Sequence, residues 1–136
     1  MTATDDLTVW LGGVLDRIEQ RAQAAANHGP TWRYSDGNIY PSDTSRHPGP
    51  IATGTYGGGL EDAHGEHIAG NDPAHVLHRI AIDRRIIAAH PIGEHGYCTN
   101  CWADGGVRSV DAPCPTLRLL AAAHDAEPGY RPEWKP

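Results

Sequence analysis

The sequence predicts an α+β fold: an N-terminal helix, a small antiparallel β-meander, a middle helix, a cysteine knuckle and a C-terminal helix. Three observations predict it. A single apolar stripe at helical spacing opens the chain. Trp, Tyr and Ile then cluster around turn dipeptides. All three cysteines gather in the last third, beyond a second helical segment. A chain of 136 residues is read as a single domain, 1–136.

Residues 5–26 form the first expected helix. Leu7, Trp10, Leu11, Val14, Leu15 and Ile18 fall on one stripe of 3.6 period. Thr4 or Asp5 can cap its start, and Asn27-His28-Gly29-Pro30 supplies stop signals. Residues 31–70 read as antiparallel strands. Trp32, Tyr34, Ile39 and Tyr40 flank Asp36-Gly37, a two-residue hairpin signal. Ile51 to Tyr56 is a second strand candidate, Gly57-Gly58-Gly59 a turn, and His67-Ile68-Ala69 a third short strand. Asn71-Asp72-Pro73 places Asp at an N-cap and Pro at N1, so a helix is expected over 73–90, ended by Pro91. Residues 91–114 are rich in Gly and short polar runs, and a loop that long inside a compact domain needs an organiser. Pro115 opens a last helix, 115–124, with Leu117, Leu120 and Ala121 on one side. Residues 125–136 form a Pro-rich tail whose Tyr130 and Trp134 predict docking onto the body.

Composition shows why the organiser matters. The chain has no Phe and one Met, while Gly and Pro number 16 and 11, so the core is thin. Ordering the backbone alone costs roughly 1–2 kcal/mol per residue. Something besides apolar burial is therefore expected to hold the fold. No apolar run is long enough to cross a bilayer, and the acidic, polar N-terminus (Asp5, Asp6) lacks the apolar core of a secretory signal. An odd number of cysteines without such a signal does not suit a disulfide framework, so reduced thiols and a cytoplasmic location are expected. The net charge of −6 argues against a non-specific duplex binder.

The chemistry lies in the cysteines. Cys98-Thr99-Asn100-Cys101 has the two-residue spacing by which one turn presents two thiolates to one ion, the zinc knuckle, and Cys114 follows immediately before a helix. A thiol at a helix N-terminus is biased toward thiolate by the amide dipoles. Structural zinc needs a fourth donor, and His90, His95 and His124 are the candidates. His90 is favoured, because it would tie two helices and the loop to one ion. Zinc binding of this kind is folding energy, around 10–16 kcal/mol in small finger peptides. The expected site is therefore Cys98, Cys101, Cys114 and His90 around a structural zinc ion.

Other readings of the same residues are weaker. A redox dithiol wants the Cys pair opening a helix, whereas Trp102-Ala103-Asp104-Gly105-Gly106 follows. Three buried, inert thiols are the bland alternative. His64-Gly65-Glu66 followed by the Cys pair mimics a zinc-deaminase signature. There both motifs open helices, and the glycines with Pro73 argue against a helix after Glu66. That reading would also leave Cys114 idle. Signatures of zincins, P-loops and serine-hydrolase elbows are absent. His75, His78, Arg79, Arg84 and Arg85 form a basic stretch of the middle helix, suited to an acidic protein partner or to nucleic acid; a merely solvated face is the ordinary alternative.

Several segments taken together resemble a known family. These are His67-Ile68-Ala69-x-x-Asp72-Pro73-Ala74-x-Val76-Leu77, Arg84-Arg85-Ile86-Ile87-x-x-His90, Pro113-Cys114-Pro115-Thr116-Leu117-Arg118-x-Leu120-Ala121 and Pro128-x-Tyr130-Arg131-x-Glu133-Trp134. The chain is similar to a family of small uncharacterised proteins of actinobacteria and their phages, a domain of unknown function. The resemblance spans most of the chain outside 41–66 and 92–112. It implies a cytoplasmic protein of bacterial or phage origin, and His90 and the Cys114 motif match its pattern. It supplies no substrate. The expected function is a small zinc-stabilised binding protein acting through protein–protein contacts. The alternatives are a zinc-dependent hydrolase or deaminase, and a nucleic-acid-binding module using the 75–85 helix face. No membrane partner is expected.

Overall fold

The structure is a computed structural model, and it describes residues 3–45, 49–54 and 58–136, with residues 3–5 by backbone alone. In chain order the elements are α1 (Ala3–Ala25), β1 (Trp32–Ser35), β2 (Asn38–Pro41), β3 (Ala52–Thr53), α2 (Asp62–Gly70), α3 (Pro73–Ala89), β4 (Tyr97–Ala103), β5 (Arg108–Asp111) and α4 (Pro115–Ala122). The fold is α+β, with a helix at each end and small antiparallel sheets between. One compact unit comprises Met1–Arg17 with Ala81–Pro136, and a second comprises Ile18–Ile80.

In the second unit, β1, β2 and β3 form an antiparallel sheet in that order. Asp36 and Gly37 turn β1 into β2 with φ of 46° and 78°, the left-handed pair of a tight hairpin turn. Register follows, with Tyr34 opposite Ile39 and Ser35 opposite Asn38. Ile39 is wholly buried. β3 uses only Ala52 and Thr53 of the expected 51–56 strand, and residues 55–57 lie outside the described ones.

The expected third strand at 67–69 is corrected: residues 62–70 are the helix α2. Packing decides this. Gly65 is buried with its Cα so close to the Tyr34 ring that a Cβ there would collide with it. The Tyr34 hydroxyl lies 2.6 Å from Asp62 Oδ1 and 3.0 Å from the Leu60 carbonyl, which share its one proton and pin the helix start to β1. A nine-residue segment with no apolar stripe becomes helical because a sheet residue receives it, which periodicity cannot show.

Asp72 caps α3 from a buried position. Its Oδ1 accepts from the His75 amide at 2.9 Å, and its Oδ2 accepts from the Trp32 amide at 3.0 Å. One carboxylate thus satisfies a free helix donor and an unpaired strand amide. Thr4 and Asp5, expected to cap α1, fall inside it instead.

In the first unit, Leu7, Leu11, Val14 and Leu15 of α1 are buried, as are Leu117 and Ala121 of α4 and Trp134 of the tail. Trp10, Tyr130 and Trp134 cluster with ring centres 5.3–5.9 Å apart. The Trp10 indole donates to the Pro128 carbonyl at 2.8 Å, and Arg131 pairs with Asp6 at 3.0 Å. Arg118 donates to the carbonyls of Pro113, Glu133 and Lys135. The segment expected as a loop, 91–114, carries the antiparallel pair β4 and β5. Among the described residues, no helix is long and apolar enough to cross a membrane.

Candidate metal centre

Four side chains converge from three places in the chain. His90 directly follows α3, its amide donating to the Ile87 carbonyl as the helix ends before Pro91. Residues 91–93 then run antiparallel to 97–99. Ile92 bridges Cys98, Gly93 donates to the Tyr97 carbonyl at 2.8 Å, and Thr99 donates to the Pro91 carbonyl at 3.0 Å. Gly96, at φ 77°, closes the turn between them in a conformation that favours glycine.

Cys98 and Cys101 sit where β4 departs from regular pairing. Tyr97 faces Asp111 and Trp102 faces Ser109, and the register shifts between those pairs. The surplus length on β4 is the bulge that turns both thiols the same way. Cys114 is the N-cap of α4, with Pro115 behind it and no side-chain cap bond of its own. Its sulfur is thereby left available to the cluster.

The ligand atoms of His90, Cys98, Cys101 and Cys114 all lie within 4.8 Å of one another. His90 Nδ1 lies 3.5 Å from Cys98 Sγ, 3.3 Å from Cys101 Sγ and 3.6 Å from Cys114 Sγ. One ring nitrogen has a single proton or a single lone pair, so it cannot satisfy three thiols by hydrogen bonding. A tetrahedral ion with Zn–S of about 2.3 Å and Zn–N of about 2.05 Å sets N–S edges of about 3.6 Å. The three observed edges, 3.3–3.6 Å, fall within about 0.3 Å of that figure. The four residues are positioned to hold a metal ion.

The thiols differ electrostatically. Burial pushes the Cys98 thiol up, but backbone N–H groups of Asn100 and Cys101 and contacts with His90 and Cys101 outweigh it, bringing its pKa down to about 7. Cys101 rises to about 11, through burial and then its neighbours Cys98 and Cys114. The neighbouring sulfurs thus disfavour ionisation of Cys101.

Of the histidines considered as fourth donor, His95 lies exposed in the turn before Gly96 and His124 follows α4; neither belongs to the cluster. His64 and Glu66 do not belong to it either. They lie on α2, so a helix does form around Glu66, and the argument from helix-breaking glycines is corrected. One positioning residue was missed. Asn100 Nδ2 donates to the Ala89 carbonyl at 2.9 Å, capping the end of α3 from inside the knuckle, next to His90. An Asn between two knuckle cysteines, with a helix ending nearby, was the available signal.

The model of a family of unknown function, DUF6221, matches residues 4–136. The chain belongs to this family. No curated protein and no solved structure matches it. In this DUF6221 chain the basic residues of α3 do not act as one face. His75, His78, Arg79 and Arg85 are exposed, and among the described residues no carboxylate pairs with Arg79 or Arg85. Arg84 projects about half a turn away and binds Asp16 at 2.6 Å. On β4, β5 and their connection, Tyr97, Trp102 and Val107 are exposed, and a cleft of about 740 Å³ is lined by Tyr97, Val107, Val110 and Pro115 among others.

Proposed function

We propose that this protein is a zinc-stabilised binding module, with zinc structural and the surface engaging another protein. The observation that carries the reading is the convergence of three thiols within 3.3–3.6 Å of one imidazole nitrogen. Four protein donors close a tetrahedron, and a catalytic zinc keeps one position open for water. Cys98, Cys101 and Cys114 would bind as thiolates, and His90 through Nδ1 with the proton on Nε2. Zinc suits this donor set, because thiolate and imidazole together select it over hard cations. The hydrolase or deaminase alternative lacks a carboxylate in the cluster.

Binding to protein is supported by the exposed Tyr97, Trp102 and Val107, since large apolar and aromatic side chains left in water are frequent interface anchors. His75, His78, Arg79 and Arg85 offer a second, cationic surface for an acidic partner. Nucleic acid is the less favoured use of those cations in a chain of net charge −6. A bacterial or phage origin and a cytoplasmic location, where thiols stay reduced, complete the proposal.

The test is metal analysis of protein purified without added zinc. Native mass spectrometry is expected to show the chain plus one zinc, and a chelator to lower the melting temperature. Cys114→Ser and His90→Ala are expected to lose the ion. A bare chain mass, together with a melting curve indifferent to chelator, would overturn the reading.

A further inference from the structure

The four donors are unequally protected. Cys114 is wholly buried, Cys98 is 4% exposed, and Cys101 is only half-buried. Oxidation of cysteine follows thiolate character and access. A bound cation supplies the thiolate at all three sulfurs, so access decides among them. The resolving thiol is already in place. Cys98 shares the bulge with Cys101, and the sulfurs of both lie within 3.5 Å of the same His90 nitrogen. Cys114 comes instead from the N-cap of α4.

We propose that Cys101 is an oxidation site for hydroperoxides, and that its oxidation closes a Cys98–Cys101 disulfide and expels the ion. This rests on the zinc reading above. In the first step the Cys101 thiolate attacks the peroxide: an S–O bond forms, the O–O bond breaks, and hydroxide or alkoxide leaves and takes a proton from water. In the second, the Cys98 thiolate attacks the resulting sulfenic acid: an S–S bond forms, the S–O bond breaks, and hydroxide leaves. Two electrons pass from two sulfurs to one peroxide. His90 and Cys114 are then the only donors left, too few to retain a zinc ion. The ribbon that buries little else than Cys98 loses its tie to the end of α3 and the start of α4.

The experiment titrates the zinc-loaded full chain with hydrogen peroxide, reading released zinc with a chromogenic chelator and the protein by intact mass and peptide mapping. One zinc is expected per peroxide consumed, with loss of two hydrogens in mass, a mapped Cys98–Cys101 bridge, and zinc uptake restored by a thiol reductant. At substoichiometric peroxide, a sulfenic-acid trap is expected to label Cys101 first. Cys101→His keeps four donors without the exposed thiol and is expected to slow release about tenfold or more. Should that variant fail to hold zinc, the trap mapping on the unsubstituted chain still decides. First labelling of Cys98 or Cys114, a bridge to Cys114, or zinc retained in excess peroxide would each overturn the inference. A chain that never contained zinc defeats the proposed function instead, whereas a zinc-loaded chain indifferent to peroxide defeats this step alone.

Discussion

The two sheets of this chain are held by different physics. The β1–β2–β3 sheet has a covered face. Ile39 is wholly buried, Tyr34 receives α2 over Gly65, and Asp72 binds the Trp32 amide. The β4–β5 ribbon leaves Tyr97 and Trp102 exposed and buries Cys98. A two-stranded ribbon without apolar cover is marginal in water. Its persistence needs another source of free energy, and the donor cluster at its bulge is where that source can act. Apolar patterning therefore reports on the first sheet, and ligand spacing reports on the second.

Removing the metal is the largest expected perturbation, and it tests the contrast directly. Chelation or Cys114→Ser is expected to remove a sizeable part of the roughly 10–16 kcal/mol that zinc gives finger peptides. Amide exchange should accelerate in β4 and β5 and stay slow in β1 and β2. Unchanged protection in β4–β5 after chelation would break the comparison. Next comes Ile39→Ala, expected to lose about 2–5 kcal/mol in denaturant unfolding with no change in bound metal. Gly65→Ala should cost about 1–3 kcal/mol, because the new methyl meets the Tyr34 ring and outweighs the usual helical gain of about 1 kcal/mol over glycine. Trp102→Ala, at a side chain 60% exposed, should change stability by less than about 0.5 kcal/mol while weakening partner capture.

The smallest effect concerns alkaline pH. The hydrogen bond to Asp62, followed by burial and the Asp62 charge, raises the pKa of Tyr34. The folded chain thus holds that proton more tightly than the unfolded one. The contribution is full below the ordinary tyrosine pKa of about 10 and is lost as pH rises through the folded value. Melting temperatures of Tyr34→Phe should fall less steeply over that range than those of the parent chain.

The sequence was legible where side chains answer to local rules. Leu7 to Ile18 announces α1, Asp72-Pro73 announces α3, and Pro115 announces α4. The four converging donors were legible too, because tetrahedral coordination demands a count that few residues meet. What escaped was tertiary. The segment 62–70 has no apolar stripe, and its helix depends on a close approach between Gly65 and a tyrosine about thirty residues earlier. β4 and β5 were hidden because the bulge carrying Cys98 and Cys101 destroys the alternation that would mark a strand. Arg84 was grouped with Arg79 and Arg85 on charge, although helical rotation separates it and Asp16 engages it.

The positions of the donors along the chain have one more consequence. Residues 90 and 114 lie far enough apart in the chain that an ion held by both would join them only once both have left the ribosome. Unlike a covalent staple, such an ion would be in equilibrium with its surroundings, and its contribution to stability would follow the logarithm of the free ion concentration. A cell short of the ion would hold a slacker version of the same polypeptide.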